Sequence, residues 1–315
     1  MTDGRTARRS VLRGSVLSGA ALLASACTST TAEPDVTSTG SPSSPGTPER
    51  VDGAPTLPQG LQESQRTAYR YGAHPRQVAD LWLPEGDRRD GLVALVHGGA
   101  WQVGTDRSNV DNTVADLVRR GYVVLNCDYR GVDDGGGWTG TFTDVATALD
   151  QAAEAATAQG VDAARTLVLG HSAGGHLAMW AAARRRLPAG APGADPRVVP
   201  VLAGSMSGVL HPTTLAASDP NVVNVFGGTP EEVDDRYAIG DPSRLVALGM
   251  PLFVLHGTAD DTVPHSQAQE FHDLAVAAGD QVDLQLVEGA THGDPLFPGE
   301  PTWGRALDWI EASLG

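Results

Sequence analysis

The sequence predicts an α/β fold, a mostly parallel sheet with helices on both faces, on three observations. Apolar β-type runs alternate with helical patterns from about residue 59 onward. One strand pattern, Thr166-Leu167-Val168-Leu169, runs straight into Gly170-His171-Ser172-Ala173-Gly174-Gly175, and a helical pattern leaves it. The chain has 315 residues, 41% of them hydrophobic and 19% charged, enough for the core of one large domain plus appendages.

In chain order, strands are expected near residues 77–83, 92–97, 123–128, 166–170, 199–204, 252–256 and 282–287. Helices fit 108–120, 143–158, 174–186, 265–278 and 302–313. Residues 206–250 are less regular, and an excursion of this kind is where a lid or a substrate-shaping insertion would lie. Arg184, Arg185 and Arg186 sit at a helix end, where they complement the helix dipole.

Charge and composition exclude several functions. A net charge of −16 argues against nucleic acid, which needs a basic patch to displace counterions. All 22 basic residues are arginine, so Schiff-base chemistry, a Ser-Lys dyad and a phosphate-loop lysine are ruled out. The two cysteines, Cys27 and Cys127, cannot form a disulfide framework, and Cys127 lies in a strand-like run where a free thiol packs as a small hydrophobe.

Residues 1–26 read as a bacterial export signal. Arg8-Arg9-Ser10-Val11-Leu12-Arg13 precedes an apolar stretch too short to span a bilayer permanently, and the paired arginines resemble a twin-arginine signal. Leu23-Ala24-Ser25-Ala26-Cys27 allows two processing outcomes: cleavage after a small-residue site, or a lipoprotein whose first residue, Cys27, carries lipid. Residues 27–58, rich in Ser, Thr, Pro and Gly, are expected to be a flexible tether, leaving 59–315 as the folded domain. A tether behind a single cysteine favours the lipoprotein, with the membrane contacted only through that anchor.

Ser172 lies on a sharp strand-to-helix turn, flanked two positions either side by glycines that let the two backbones approach. A serine hydroxyl is a poor nucleophile unless a base takes its proton and a third group orients the base. In elbow-type hydrolases the acid and then the histidine follow the serine along the chain. Only His265, His272 and His292 follow the candidate acids, and the first two fall at the start of or inside a helix. His292 sits on a loop after the strand 282–287 and is the candidate base. The loop after strand 252–256 offers two adjacent aspartates, Asp260 and Asp261; neighbours in a turn point in different directions, so one of them is the orienter. An oxyanion hole needs two backbone N–H donors. Ala173 supplies one, and Gly99 with Ala100, in the glycine-rich loop His97-Gly98-Gly99-Ala100-Trp101, supply the other.

Together, His97-Gly98-Gly99-Ala100-Trp101, Gly170-His171-Ser172-Ala173-Gly174-Gly175-His176, His256-Gly257-Thr258-Ala259-Asp260 and His292 resemble the α/β-hydrolase superfamily. Within it the chain is similar, over roughly 66–313, to small esterases related to hormone-sensitive lipase and kynurenine formamidase. The resemblance implies Asp260 as the acid, because it takes that place in His-Gly-x-x-Asp-x-x-Val-Pro; Asp261 would then cap or solvate the helix beginning near Pro264. It implies a single-domain α/β-hydrolase fold, a small-molecule ester as substrate and hydrolysis through an acyl-enzyme on Ser172, with no cofactor and no metal. Activity is expected to fall as pH drops through the imidazole range. Two other readings use the same residues differently: an amide hydrolase of arylformamidase or prolyl-oligopeptidase type, and a non-catalytic envelope lipoprotein that binds a ligand. The sequence leaves the oligomeric state open.

Overall fold

The computed structural model describes residues 49–50 and 57–315; the expected export signal, Cys27 and most of the expected tether lie outside the described residues. In chain order the elements are β1 (Glu49–Arg50), β2 (Arg66–Arg70), β3 (Val78–Trp82), β4 (Leu92–Val96), α1 (Asp111–Arg119), β5 (Val123–Cys127) and α2 (Gly140–Ala158). Next come β6 (Thr166–His171), α3 (Ala173–Ala183), β7 (Leu202–Met206), α4 (Pro212–Leu215), α5 (Pro220–Phe226) and α6 (Asp234–Gly240). The chain closes with β8 (Leu252–Gly257), α7 (Ser266–Ala277), β9 (Val282–Val287) and α8 (Pro301–Leu314).

The strands form one sheet in the order β1-β2-β3-β5-β4-β6-β7-β8-β9. Strands β1 to β3 pair antiparallel and β3 is antiparallel to β5, whereas every pairing from β5 to β9 is parallel. Because β4, β5 and β6 are covered on both faces, every residue in them is buried, and they read as largely apolar runs rather than alternating ones. The period-two alternation of strand side chains divides the core in two. Leu92, Ala94 and Val96 point to the side of α2, α3 and α7, with Phe142, Trp180 and Phe271. Val93 and Leu95 point to the side of α1 and α8, with Leu117, Trp303 and Ile310.

Since β4 to β9 run parallel, the segments that follow them emerge at one end of the sheet, where open α/β sheets bind ligands. This is what gathers residues 97–101, 128, 172, 260 and 292, which are far apart in sequence.

Several elements depart from expectation. Strand β7 begins at Leu202 rather than 199: Pro200 has no N–H to give a ladder, and Val199 and Val201 lie exposed. Strand β2 has no apolar alternation to reveal it, since it buries the arginine Arg66 against Asp80 at 3.3 Å. Glu49–Arg50, inside the expected tether, pairs with the edge of β2; a backbone ladder does not depend on apolar side chains. The irregular segment 206–250 holds three short helices. Pro212 and Pro220 open α4 and α5, Asp219 accepts the Asn221 N–H to cap α5, and Gly227, with φ 72°, ends it. Arg184 does more than face a helix end: buried, it reaches Asp150 with two nitrogens at 3.2 and 2.6 Å and donates to the Gly193 carbonyl at 2.7 Å. Cys127 is a free thiol within β5, and burial raises its pKa above the usual thiol range, so it stays protonated.

Candidate active site

Strand β6 ends at His171 and α3 starts at Ala173, so Ser172 alone makes the reversal. Its backbone is strained, at φ 56° and ψ −124°. Two glycines make room for it. A Cβ on Gly170 would lie 2.0 Å from the Gly174 carbonyl oxygen, and one on Gly174 would lie 2.1 Å from the Val96 oxygen. The Ser172 N–H donates to the Met206 carbonyl at 3.0 Å, fastening the turn to β7.

The loop after β8 carries Asp260, whose side chain is fully buried. Its Oδ2 accepts from His292 Nδ1 at 2.8 Å and stands 3.1 Å from His256 Nε2. Its Oδ1 accepts the Thr262 and Val263 N–H groups at 3.0 and 2.9 Å. Burial alone would push this carboxyl up, but the hydrogen bonds from His256, His292 and Val263 outweigh it and hold Asp260 ionised, well below the usual carboxylate range. Asp261 makes no contact with His292. It accepts from the Thr262 hydroxyl at 3.3 Å, and α7 begins with no side-chain cap, so the capping role expected of it is not found.

His292 follows β9 on a loop tied by Thr291, whose N–H and hydroxyl donate to Asp294 at 2.9 and 2.6 Å. Donating Nδ1–H to Asp260 leaves Nε2 with its lone pair, the arrangement a general base needs. His171 Nε2 donates to the His292 carbonyl at 2.8 Å, and the two rings lie 4.8 Å apart. The structure therefore joins His292 to Asp260 directly and to the serine's turn through His171. Among the hydrogen bonds of the described residues, none links the Ser172 hydroxyl to His292. Burial and then the neighbouring His292 lower the His171 pKa to about 4, which keeps it neutral and a donor to that carbonyl.

Past β4, the chain takes three consecutive left-handed conformations at Gly99, Ala100 and Trp101, with φ 108°, 51° and 57°. The N–H groups of Gly99, Ala100 and Ala173 have no acceptor among the described residues. Gly98 packs on the serine's turn, where a Cβ would sit 3.1 Å from Ser172 Cβ. Asp128, which directly follows β5, anchors this loop. It meets His97 Nε2 at 3.1 Å and is itself paired with Arg76 at 2.9 Å and Arg107 at 3.3 Å. Tyr129 stacks on the His97 ring at 4.2 Å and donates its hydroxyl to the His97 carbonyl at 2.8 Å. Sequence reasoning passed over Asp128, His256 and His171 as working parts. The first carries a readable signal, a charged residue where a central strand ends.

Ser172, Ala173, Ala100 and Trp101 line a cavity of about 340 Å³, closed by residues from the 206–225 segment, among them Val209, Leu215, Asp219 and Asn221, and from 261–264. A larger groove, about 760 Å³, runs along α2 and residues 197–199 and shares no lining residue with it. Among the described residues no three His, Cys, Asp or Glu side chains converge as a metal site.

The fold matches known structures. A truncated carbohydrate esterase from gut microbiota superposes with a TM-score of 0.69 at 20% identity, over 81% of this chain and 99% of that one. Esterase B from Lactobacillus rhamnosis, in complex with a tributyrin phosphonate inhibitor, superposes with a TM-score of 0.68 at 23% identity, over 82% of this chain and 86% of that one. The chain has the α/β-hydrolase fold. The BD-FAE family model matches residues 79–189, roughly a third of the chain, which holds the loop at 97–101 and the Ser172 turn but not Asp260 or His292. The isoprenylcysteine alpha-carbonyl methylesterase ICME of Arabidopsis thaliana is 27% identical over 76% of this chain and 58% of its own length. Esterase LipC of Mycobacterium tuberculosis is 29% identical over 74% of this chain and 60% of its own. The chain spans about three fifths of the length of these curated relatives.

Proposed function

We propose that this α/β-hydrolase cleaves carboxylic esters of small molecules with Ser172 as nucleophile, His292 as base, Asp260 as orienter and the Gly99, Ala100 and Ala173 N–H groups as oxyanion donors. One observation carries the reading. A buried, ionised Asp260 holds His292 by Nδ1 at 2.8 Å, and the His292 loop is bound to a strained serine turn beside three backbone donors that have no protein acceptor.

His292 Nε2 takes the hydroxyl proton as Ser172 Oγ attacks the ester carbonyl. Backbone donors that are already aimed receive the negative charge without reorganising at the moment of reaction. The resulting imidazolium is stabilised by Asp260 and returns its proton to the departing alcohol. Water, activated by the same imidazole, then releases the acid from Ser172. The contact between serine and base tightens when substrate displaces water, as catalytic hydrogen bonds in free enzymes commonly do. The esterase names among the relatives and structural neighbours support this chemistry over a binding role.

The test is turnover of p-nitrophenyl acetate by Ser172→Ala. A loss of about 10⁴-fold or more in kcat is expected, by analogy with triad serines elsewhere. Retained turnover would remove Ser172 from the chemistry. Attachment at the cell envelope through Cys27 is part of the same proposal, read by mass spectrometry of the membrane fraction; an unmodified Cys27 would end that part.

A further inference from the structure

Resting on the esterase reading, we infer that the cavity beside Ser172 sorts esters by charge: it takes small neutral and cationic esters and turns away those carrying a carboxylate close to the scissile bond, and Asp219 and Asp261 are the residues that sort them.

The cavity changes character from floor to mouth. Its floor is buried and apolar around the serine, with Trp101, Val209, Leu215 and Val263. Its mouth is polar, with Asp219, Asn221, Asp261 and Thr262. The lining holds two carboxylates and neither arginine nor histidine, and the chain has no lysine to supply a cation.

These two aspartates differ from the carboxylates held by arginines. Asp128 is paired with Arg76 and Arg107, Asp80 with Arg66 and Arg107, and Asp144 with Arg130. Among the described residues, neither Asp219 nor Asp261 takes part in an ion pair. Each accepts only from its own loop: Asp219 from the Asn221 N–H at 2.9 Å, Asp261 from the Thr262 hydroxyl at 3.3 Å. Their remaining oxygens are left for whatever enters the cavity. Trp101, also on the floor, is 1% exposed, and its buried indole N–H has no acceptor among the described residues. A volume of about 340 Å³ admits a short ester and brings any charge on it within range of both carboxylates.

An ester with an ammonium group near the scissile bond is therefore attracted. An ester with a carboxylate meets two like charges and no counter-charge, the repulsive element that specificity requires.

The experiment compares three thioacetates that share one acyl group: acetylthiocholine, its uncharged isostere S-(3,3-dimethylbutyl) thioacetate, and 3-(acetylthio)propionate. Release of thiol gives kcat/KM for each, with the wild-type chain and with Asp219→Asn/Asp261→Asn. Asparagine still caps a helix and still accepts from Thr262, so the variant keeps both local hydrogen bonds. Dividing the wild-type selectivity by that of the variant cancels the intrinsic reactivity of the three esters. The cation-to-anion preference is expected to fall on the order of ten-fold in the variant, and to shrink for the wild type in molar salt. A ratio unchanged within about two-fold in both arms would overturn the charge filter while leaving the esterase reading intact. No turnover of the uncharged thioester by the wild type would instead count against the esterase reading itself.

Discussion

The fully buried Asp260 side chain accepts from His292 and from the Thr262 and Val263 N–H groups, and stands 3.1 Å from His256 Nε2, which itself donates to the Val263 carbonyl at 2.9 Å. A buried charge is tolerable only when so satisfied, and each donor also fixes where the carboxylate points. Asp260→Asn puts an NH₂ donor in place of one carboxylate oxygen and removes the charge, so His292 is no longer held in the tautomer that leaves Nε2 free to accept, and kcat is expected to fall on the order of 10³–10⁴-fold in ester hydrolysis. His256 reaches Asp260 and the Val263 carbonyl but not Ser172 or His292, so a positioning role is expected of it. His256→Ala is expected to lower kcat about ten-fold with KM within about two-fold, and His256→Gln, which keeps a donor, to recover part of it. Equal loss in both variants, tracking a lower Tm, would reduce His256 to a packing role. At this scale the sequence was readable where chemistry demands a residue type. Ser172 and His292 stand out by context. Asp260 and Asp261 are the same residue type in adjacent positions, and only the path of the loop decides which carboxylate faces the imidazole.

At the scale of elements, the turn between β6 and α3 depends on backbone proximity. Gly174→Ala would drive a Cβ to 2.1 Å from the Val96 oxygen in the central sheet, with no flexible atom to give way, and is expected to yield no folded protein. Gly304 offers the contrasting case. It lies inside α8, and a Cβ there would meet nothing within 4 Å. Gly304→Ala is expected to raise stability by about 0.5–1 kcal/mol in urea unfolding, through helix propensity and a less flexible unfolded chain. The strands that are buried on both faces and the long helices were legible because hydrophobic periodicity reports burial directly. Strand β2 was not, because it pairs through its backbone while placing arginines and a tyrosine along the edge. The short helices α4 to α6 were missed for a related reason: four to seven residues are too few to show a period, and proline and caps define them instead.

Across the described chain, two histidines are buried in neutral form. Burial lowers both His171 and His176 to about 4; His171 also feels His292, and His176 sits among Trp101, Phe142 and Phe226 with its Nε2 donating to the Gly240 carbonyl at 2.8 Å. An unfolded histidine titrates near about 6.5, so between there and about 4 the unfolded chain binds protons that the folded one refuses. The stability these two groups contribute is thus fully present above about 6.5 and is lost as pH falls toward 4, at up to about 1.4 kcal/mol per pH unit each. Asp111 works in the opposite direction: burial and then Asp80 raise it to about 7, so its contribution is lost as pH rises toward that value. Urea unfolding at pH 7.5 and 5 is expected to show a flatter pH slope for His176→Gln than for the wild type; identical slopes would mean that His176 is charged in the fold. The parallel pairing of β4 to β9 was legible in the alternation of strand and helix patterns; their order was not, because alternation alone does not fix which strands become neighbours. Nor was the convergence of the loops on one cavity, since it depends on how far 206–250 folds back toward Ser172.

The central claim is that Ser172, His292 and Asp260 act as one relay. The most direct test is to treat the protein with an aryl alkylphosphonate ester and map the adduct by mass spectrometry. A single adduct on Ser172, forming in step with loss of esterase activity and suppressed in His292→Ala, is the predicted result. Inactivation with the adduct on another residue, or labelling of Ser172 at an unchanged rate without His292, would contradict it.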